Sequence, residues 1–151
     1  MTQFEATDAR RMFPCWDEPV FRAAFQLTAV VPEKYIAISN MPAENEEKLD
    51  GGRKEIAFAP TPPMATYLLA FCAGEFEVIE DEVDGIKLRV LTTAGKREQA
   101  RYALEATKKI VTYYNEYFGV KYPLPKLDQV DRKSTRLNSS HERLSRMPSS
   151  A

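Results

Sequence analysis

The sequence predicts an α+β chain in which several short strands come first and one long helix follows. Three observations predict this class. Apolar and polar residues alternate over residues 23–31, which is typical of a half-buried strand. The dipeptide Asp84-Gly85 separates two apolar stretches and favours a hairpin turn. From residue 96 to residue 118 the apolar positions recur every three or four residues, which indicates an amphipathic helix.

The other elements follow from local patterns and from proline. Residues 1–22 carry Pro14 and Pro19, so we expect a short extended segment and then an irregular loop. Residues 67–72 form a continuous apolar run that suits a strand buried on both faces. Gly119 is the natural end of the helix, and residues 122–127 should be extended. Strands are predicted at residues 23–31, 35–40, 54–59, 67–72, 76–80 and 86–92, and a polar loop at residues 42–52.

The order of these elements looks like the end of a β domain and the opening of a second domain. No second helix is predicted, so we expect the apolar face of the helix to lack a partner within the chain. We also expect the strands to leave unpaired edges.

Composition excludes several functional classes. The chain has 151 residues, 44% of them hydrophobic, and a formal net charge of −1. A near-zero charge gives no electrostatic basis for a nucleic-acid partner. No apolar run is long enough for a membrane span, and no basic start leads into an apolar stretch as in a secretory signal. Cys15 and Cys72 fit free thiols in a reducing cytoplasm, although one distant disulfide stays open.

Residues 131–151 differ from the rest of the chain. They hold five Arg or Lys, two Asp or Glu, six Ser and no aromatic residue. Residues 131–141 resemble the forward translation of a common short-read sequencing adapter, and residues 145–151 resemble its distal part. We therefore expect a disordered, adapter-like artefactual tail. Because His141 is the single histidine, the genuine chain then offers no histidine for a catalytic triad or a metal site.

On their chemistry alone, the acidic and aromatic residues near the start have a structural interpretation. In residues 13–19, Phe13 and Trp16 would pack under a loop whose Asp17 and Glu18 pair with Arg10 or Arg11. Glu5, alone in an alternating segment, would be a solvated glutamate.

A resemblance to a known family changes this interpretation. Residues 2–11 and 13–19 closely resemble the zinc aminopeptidases of the gluzincin type. The resemblance covers residues 2–130 and continues through residues 39–41, 66–71, 95–96, 98–99, 103–105, 117–118 and 122–126. Matches spread over more than a hundred residues are far more specific than one short motif.

The resemblance implies an architecture. Residues 1–90 would be the second half of a saddle-shaped, mostly antiparallel β domain, and residues 91–130 the opening strand and helix of a thermolysin-like catalytic domain. The zinc-binding motif of the family would follow only after Val130. The resemblance thus implies a fragment whose full-length parent binds Zn²⁺, while the fragment itself would bind no metal and supply no catalytic residue.

Two positions carry functional residues over from the family. Gln3 and Glu5 match its Gln-x-Glu motif, in which the glutamate binds the free α-ammonium of the substrate and the glutamine lines the pocket for the first side chain. The implied function is removal of N-terminal amino acids from peptides with a free N-terminus, in the cytoplasm. The alternative is a non-catalytic β-rich module that binds peptide ends or a protein partner through the same two residues.

Overall fold

The computed structural model describes residues 1–5 and 7–131. It confirms a chain of mostly antiparallel strands followed by one long helix. The predicted tail, apart from Asp131, lies outside the described residues. The strands are β1 (Arg22–Ala23), β2 (Thr28–Pro32), β3 (Ile36–Ser39), β4 (Ala43–Leu49), β5 (Arg53–Phe58), β6 (Met64–Ala65), β7 (Phe71–Gly74), β8 (Glu77–Val83), β9 (Ile86–Thr92) and β10 (Lys126–Val130), and the helix is α1 (Arg97–Phe118). Short 3-10 turns span Ala9–Arg11 and Thr66–Leu68.

The strands of the described part form four small sheets. Their strand orders are β1-β6, β2-β5-β4, β3-β7 and β10-β9-β8. Every pairing is antiparallel except that of β9 with β10, which is parallel. The exception has a simple cause, because α1 connects these two strands and a helical crossover returns the chain in the same direction.

The sheets stack through strands that are buried on both faces. Tyr35 and Ala37 pack towards the β2-β5-β4 sheet, in a cluster built on Val31, Ile56 and Phe58. Ile36 and Ile38, on the opposite face of β3, pack with Leu91 of β9 and Val130 of β10. This alternation is the period of two that a strand imposes on its side chains.

Helix α1 does have a partner within the chain, which corrects the expectation from the sequence. Its residues Ala100, Leu104 and Val111 pack against Ile86, Leu88 and Val90 of β9 in one apolar cluster. The helix ends as predicted at Gly119, whose φ of 63° lies in the left-handed region. The sequence pattern had shown the apolar face but not that the β8-β9 hairpin would cover it.

Three predicted elements were wrong in detail. The polar loop at residues 42–52 contains β4, whose side chains are all exposed, so no alternation of apolar residues marks it. The predicted strand at residues 23–31 is two strands. Between them, the Phe25 amide donates to the Thr61 hydroxyl and the Phe25 carbonyl accepts from the Thr61 amide. The buried strand at residues 67–72 is a 3-10 turn followed by β7. In addition, residues 122–127 form a strand only from Lys126.

Candidate functional site

The two predicted site residues lie at a cleft of about 410 Å³. The N-terminal segment forms one side of the cleft, and β10 with the residues before it forms the other. Between them lie the end of β3 and the segment that enters β7. The lining residues are Met1, Thr2, Gln3, Phe4, Glu5, Ile38, Ser39, Asn40, Tyr67, Leu68, Leu69, Ala70, Phe71, Cys72, Tyr122, Leu124, Lys126, Leu127, Asp128 and Val130.

The N-terminal segment is held against β7 by its backbone. The Thr2 amide donates to the Phe71 carbonyl at 2.8 Å, and the Phe71 amide donates to the Thr2 hydroxyl at 2.8 Å. Phe4 is buried with Ala9 and Leu69. Because alternate residues of an extended segment face opposite sides, burial of Phe4 turns the residues on either side of it outward.

Gln3 and Glu5 are those outward residues, and the structure brings them together. Nε2 of Gln3 donates to Oε2 of Glu5 at 3.1 Å. Both side chains are exposed, so the described residues around them leave the pair in contact with solvent. Thr7, two residues further on, has a φ of 83°, which a β-branched residue rarely adopts and which turns the chain away after Glu5.

The loop of residues 13–19 is structural, as its chemistry suggested, but not in every detail. Oδ1 of Asp17 accepts a hydrogen bond from the Thr66 hydroxyl at 2.7 Å, and Oδ2 lies 3.7 Å from Nε of Arg10. The Thr66 hydroxyl and the Arg10 backbone and guanidinium hold the pKa of Asp17 below its usual value, against a smaller effect of burial. Phe13 packs near Phe4, whereas Trp16 is 77% exposed and does not pack under the loop.

The opposite wall of the cleft contains a charged network that the sequence reasoning missed. Asp128 accepts two hydrogen bonds from Arg89, from Nε at 2.7 Å and from Nη2 at 2.7 Å. Lys126 donates to Asp128 and, at 2.6 Å, to the carbonyl oxygen of Ser39. The spacing of Lys126 and Asp128 in a strand was the available signal, because residues two apart share a face.

Burial and hydrogen bonding shift the pKa values of Asp128 and Lys126 in opposite directions. Burial raises the pKa of Asp128, but hydrogen bonds from Arg89 and Lys126 outweigh it and leave the pKa below its usual value. Burial also lowers the pKa of Lys126, and its bond to Asp128 offsets only part of that effect. Two cations share one carboxylate here, so Asp128 is the member on which the network depends.

No metal site can be assigned within the described residues. Nowhere in residues 1–5 and 7–131 do three His, Cys, Asp or Glu side chains come together as a group able to hold a metal ion. The residues present therefore do not fit zinc, and no chemical step through zinc can be derived from them. Cys15 and Cys72 are free thiols. No helix in the described part is long and apolar enough to cross a membrane.

Comparison with known proteins points to one class of enzyme. Residues 1–68 match the family model of the peptidase M1 N-terminal domain. The chain is 51% identical over 130 residues to aminopeptidase N of Acetobacter pasteurianus, a match that covers 86% of this chain and 37% of that protein. It is 49% identical over 131 residues to aminopeptidase M1-A of rice, Oryza sativa subsp. japonica, covering 86% of this chain and 15% of that protein.

A third relative is the puromycin-sensitive aminopeptidase of Caenorhabditis elegans, 46% identical over 131 residues, with 85% of this chain and 14% of that protein covered. This chain thus spans 37% or less of the length of these three relatives. The family model and the relatives agree: residues 1–68 are similar to the peptidase M1 N-terminal domain, and the chain is similar to part of several aminopeptidases.

Proposed function

We propose that this chain is part of a zinc aminopeptidase that removes N-terminal amino acids from peptides, and that Gln3 and Glu5 anchor the α-ammonium of the substrate. The observation that carries the proposal is the Gln3–Glu5 hydrogen bond of 3.1 Å at the rim of the cleft. It occurs in the segment that matches the M1 N-terminal domain.

The chemistry of the pair suits an exopeptidase. Only the first residue of a peptide carries an α-ammonium, and a carboxylate binds it through charge-assisted hydrogen bonds that an internal peptide bond cannot form. Gln3 holds one carboxylate oxygen and leaves the other free to accept. A site of this kind discriminates against blocked N-termini because an acetylated amide has lost the positive charge and keeps only one of the three N–H donors.

The catalytic part of the reaction belongs to the parent protein in this proposal. The zinc ligands and the general base would lie outside residues 1–5 and 7–131, in which no group of His, Cys, Asp or Glu side chains could hold a metal ion. We assign residues 1–90 to the β domain and residues 91–130 to the opening of the catalytic domain. The sheet β10-β9-β8 spans this boundary.

Three finer assignments belong to the same proposal. We propose that the parent is of the puromycin-sensitive type and acts in the cytoplasm, although relatives with other names reach higher identity. We also propose that residues 131–151 are not part of the parent. In support, the matches to the Acetobacter and rice proteins each cover 86% of this chain, and residues 1–130 make up the same share.

The test begins with the transcript. Amplifying outward from the codons for residues 126–130 on adapter-free template should give a longer reading frame. The expressed parent should hydrolyse leucine p-nitroanilide but not its N-acetyl derivative, and a chelator should abolish hydrolysis. If the reading frame ends after residue 151 and the purified chain binds peptide ends without hydrolysis, the protein is the non-catalytic module instead.

A further inference from the structure

We propose that Asn40 is a positioning residue for the Gln3–Glu5 pair, because its side chain fixes the part of the cleft wall against which the N-terminal segment lies. The inference rests on the proposed function, since it takes this pair to bind the α-ammonium of the substrate. It assigns to Asn40 an effect on binding that is transmitted through the backbone of residues 68–71 and Thr2.

The strand pairing on this side of the cleft ends just before Asn40. In the register of β3 with β7, Ser39 opposite Phe71 is the last pair. Residues 69 and 70, which lead into β7, belong to no strand. Because a segment outside a ladder has backbone groups that its own strand does not pair, other groups must bond them if the segment is to keep a fixed position.

The side chain of Asn40 supplies these bonds. Its Oδ1 accepts from the Ala70 amide at 2.7 Å, and its Nδ2 donates to the Leu68 carbonyl at 2.9 Å. An asparagine amide offers an acceptor and a donor side by side, so it can replace the edge of a partner strand. The Ser39 hydroxyl adds a third bond, which it donates to the Ala70 carbonyl at 2.8 Å. The end of β3 thus holds this segment at three backbone atoms.

The same segment holds the N-terminal residues. The Phe71 amide, next to Ala70 in the chain, donates to the Thr2 hydroxyl at 2.8 Å, and the Phe71 carbonyl accepts from the Thr2 amide at 2.8 Å. Thr2 directly precedes Gln3. A continuous series of backbone contacts therefore leads from Asn40 to the first member of the proposed ammonium-binding pair.

The end of β3 also bonds the opposite wall of the cleft. Nζ of Lys126 donates to the Ser39 carbonyl at 2.6 Å. Ser39 and Asn40 are adjacent, so one dipeptide bonds β10 through its backbone and residues 68–70 through its side chains. Asn40 thereby helps to set the separation between β10 and the wall that carries Glu5.

The exposure of these groups indicates an effect on binding that is separate from stability. Asn40 is only partly buried, and its bonds lie at the surface of the cleft, so their loss should destabilise the fold only modestly. Glu5 is exposed, and its carboxylate bonds the neighbouring Gln3. The position of Glu5 therefore depends on the backbone that carries it.

A double-mutant cycle on leucinamide binding tests the proposal in the 151-residue chain. Asn40→Ala removes both amide bonds and should weaken binding about twofold to fivefold, as much as Glu5→Gln does. The double variant should bind no more weakly than either single variant, because Asn40 acts only through the position of Glu5. Losses that multiply would overturn the proposal, since the two residues would then contribute independently. Unchanged binding in Asn40→Ala would overturn it as well.

Thr61→Val is the control for a loss of stability alone. The Thr61 hydroxyl accepts from the Phe25 amide at 3.0 Å and lies outside the cleft. This variant should lower the unfolding temperature and leave leucinamide binding unchanged. The Phe71 amide should exchange with solvent on the order of tenfold faster in Asn40→Ala but not in Thr61→Val. If both variants weakened binding equally, stability rather than position would be the cause, and the proposal would be overturned.

The parent gives a kinetic readout that a merely structural residue would not change in this way. Asn40→Ala should raise KM for leucine p-nitroanilide about twofold to fivefold and leave kcat unchanged, because the lost binding is common to the ground state and the transition state. A fall in kcat with an unchanged KM would contradict the proposal.

The same ligands separate this proposal from the proposed function. If the wild type binds leucinamide and N-acetyl-leucinamide equally well, the ammonium assignment of Glu5 fails, and the role of Asn40 fails with it. If the wild type prefers leucinamide, and Glu5→Gln weakens that preference while Asn40→Ala retains it in full, the proposed function stands and the role of Asn40 alone is overturned.

Discussion

Nζ of Lys126 on β10 lies 2.6 Å from the carbonyl oxygen of Ser39 at the end of β3, and the lysine side chain is only 6% exposed. This bond joins two sheets that are otherwise held together by apolar contacts. It also fixes the wall of the cleft that faces Gln3 and Glu5. The same ammonium bonds Asp128, which Arg89 holds through two further hydrogen bonds.

The network predicts an order of mutational effects. Asp128→Asn leaves the buried Lys126 and the partly buried Arg89 without their shared carboxylate and should lower the free energy of unfolding by about 3–5 kcal/mol. Lys126→Met leaves Arg89 and Asp128 paired and mainly removes the hydrogen-bond donor of the Ser39 carbonyl. It should therefore lower the free energy of unfolding by about 1–3 kcal/mol. Urea unfolding measures both values. Lys87→Met is the control, because Lys87 is the register partner of Lys126 on β9 but is exposed; it should change stability by less than about 0.5 kcal/mol. A larger loss for Lys126→Met than for Asp128→Asn would contradict this account.

The low pKa of Asp128 predicts a loss of stability in acid. Its pKa in the folded chain lies below the usual 3.8, so the folded state favours the ionised form. Its contribution is fully present above about pH 3.8 and is lost as the pH falls through the folded pKa. The difference in unfolding free energy between the wild type and Asp128→Asn should therefore shrink below pH 3.8. A difference that stays constant from pH 6 to pH 2.5 would show that the carboxylate charge is not the stabilising feature.

The sequence predicted the elements whose signals are local. The hairpin at Asp84-Gly85 and the helix ending at Gly119 are examples, because a turn dipeptide and a helical period are visible in a short window. The exposed strand β4 left no such signal. Its place is set by pairing with β5, which depends on residues elsewhere in the chain.

The candidate site also has one part that the sequence predicted and another that it did not. Gln3 and Glu5 were found through a motif, and the structure places them together. The network of Arg89, Lys126 and Asp128 depends on the parallel pairing of β9 with β10, two strands that α1 separates in the sequence. No local sequence pattern predicts the contact between Arg89 and Asp128, which are 39 positions apart. The exposure of Trp16 was missed for a similar reason, since burial depends on which surfaces meet it.

The two faces of α1 should respond differently to substitution. Leu104 is 7% exposed and packs in the cluster beneath the helix, so Leu104→Ala should cost about 2–5 kcal/mol. Tyr102 is 82% exposed, and Tyr102→Ala should change stability by less than about 0.5 kcal/mol. Both replace a large side chain by alanine in the same helix, and the propensity difference between Leu and Tyr is only a few tenths of a kcal/mol, on the order of 0.3. Thermal and urea unfolding of the two variants make the comparison. Equal losses would mean that the helix does not pack on β9 as described.

The conformation of Gly119 at the end of α1 predicts that substituting this residue lowers the stability of the chain. Gly119 adopts a φ of 63° and donates its amide to the Glu116 carbonyl at 3.2 Å. A side chain is strained in this conformation, although no atom lies within 4 Å of the position a Cβ would take. Gly119→Ala should therefore cost about 1 kcal/mol, and Gly119→Asn less, because asparagine tolerates the left-handed region better. Urea unfolding measures both. If alanine and asparagine were equally costly, loss of the amide contact rather than strain would be the cause.

The proposed binding of an α-ammonium by Glu5 can be tested with small ligands, and the exposure of Glu5 limits the size of the expected effect. Leucinamide carries a free ammonium and N-acetyl-leucinamide does not, so the first should bind the cleft more tightly than the second. Because Glu5 is exposed, an ion pair with it is worth little, and Glu5→Gln should weaken leucinamide binding only about twofold to fivefold. Glu18→Gln is the matched control, since Glu18 is also exposed but lies outside the cleft. Chemical-shift titration of the 151-residue chain gives the dissociation constants. If Glu18→Gln weakened binding as much as Glu5→Gln, a general charge effect would explain the binding and Glu5 would not be the anchor.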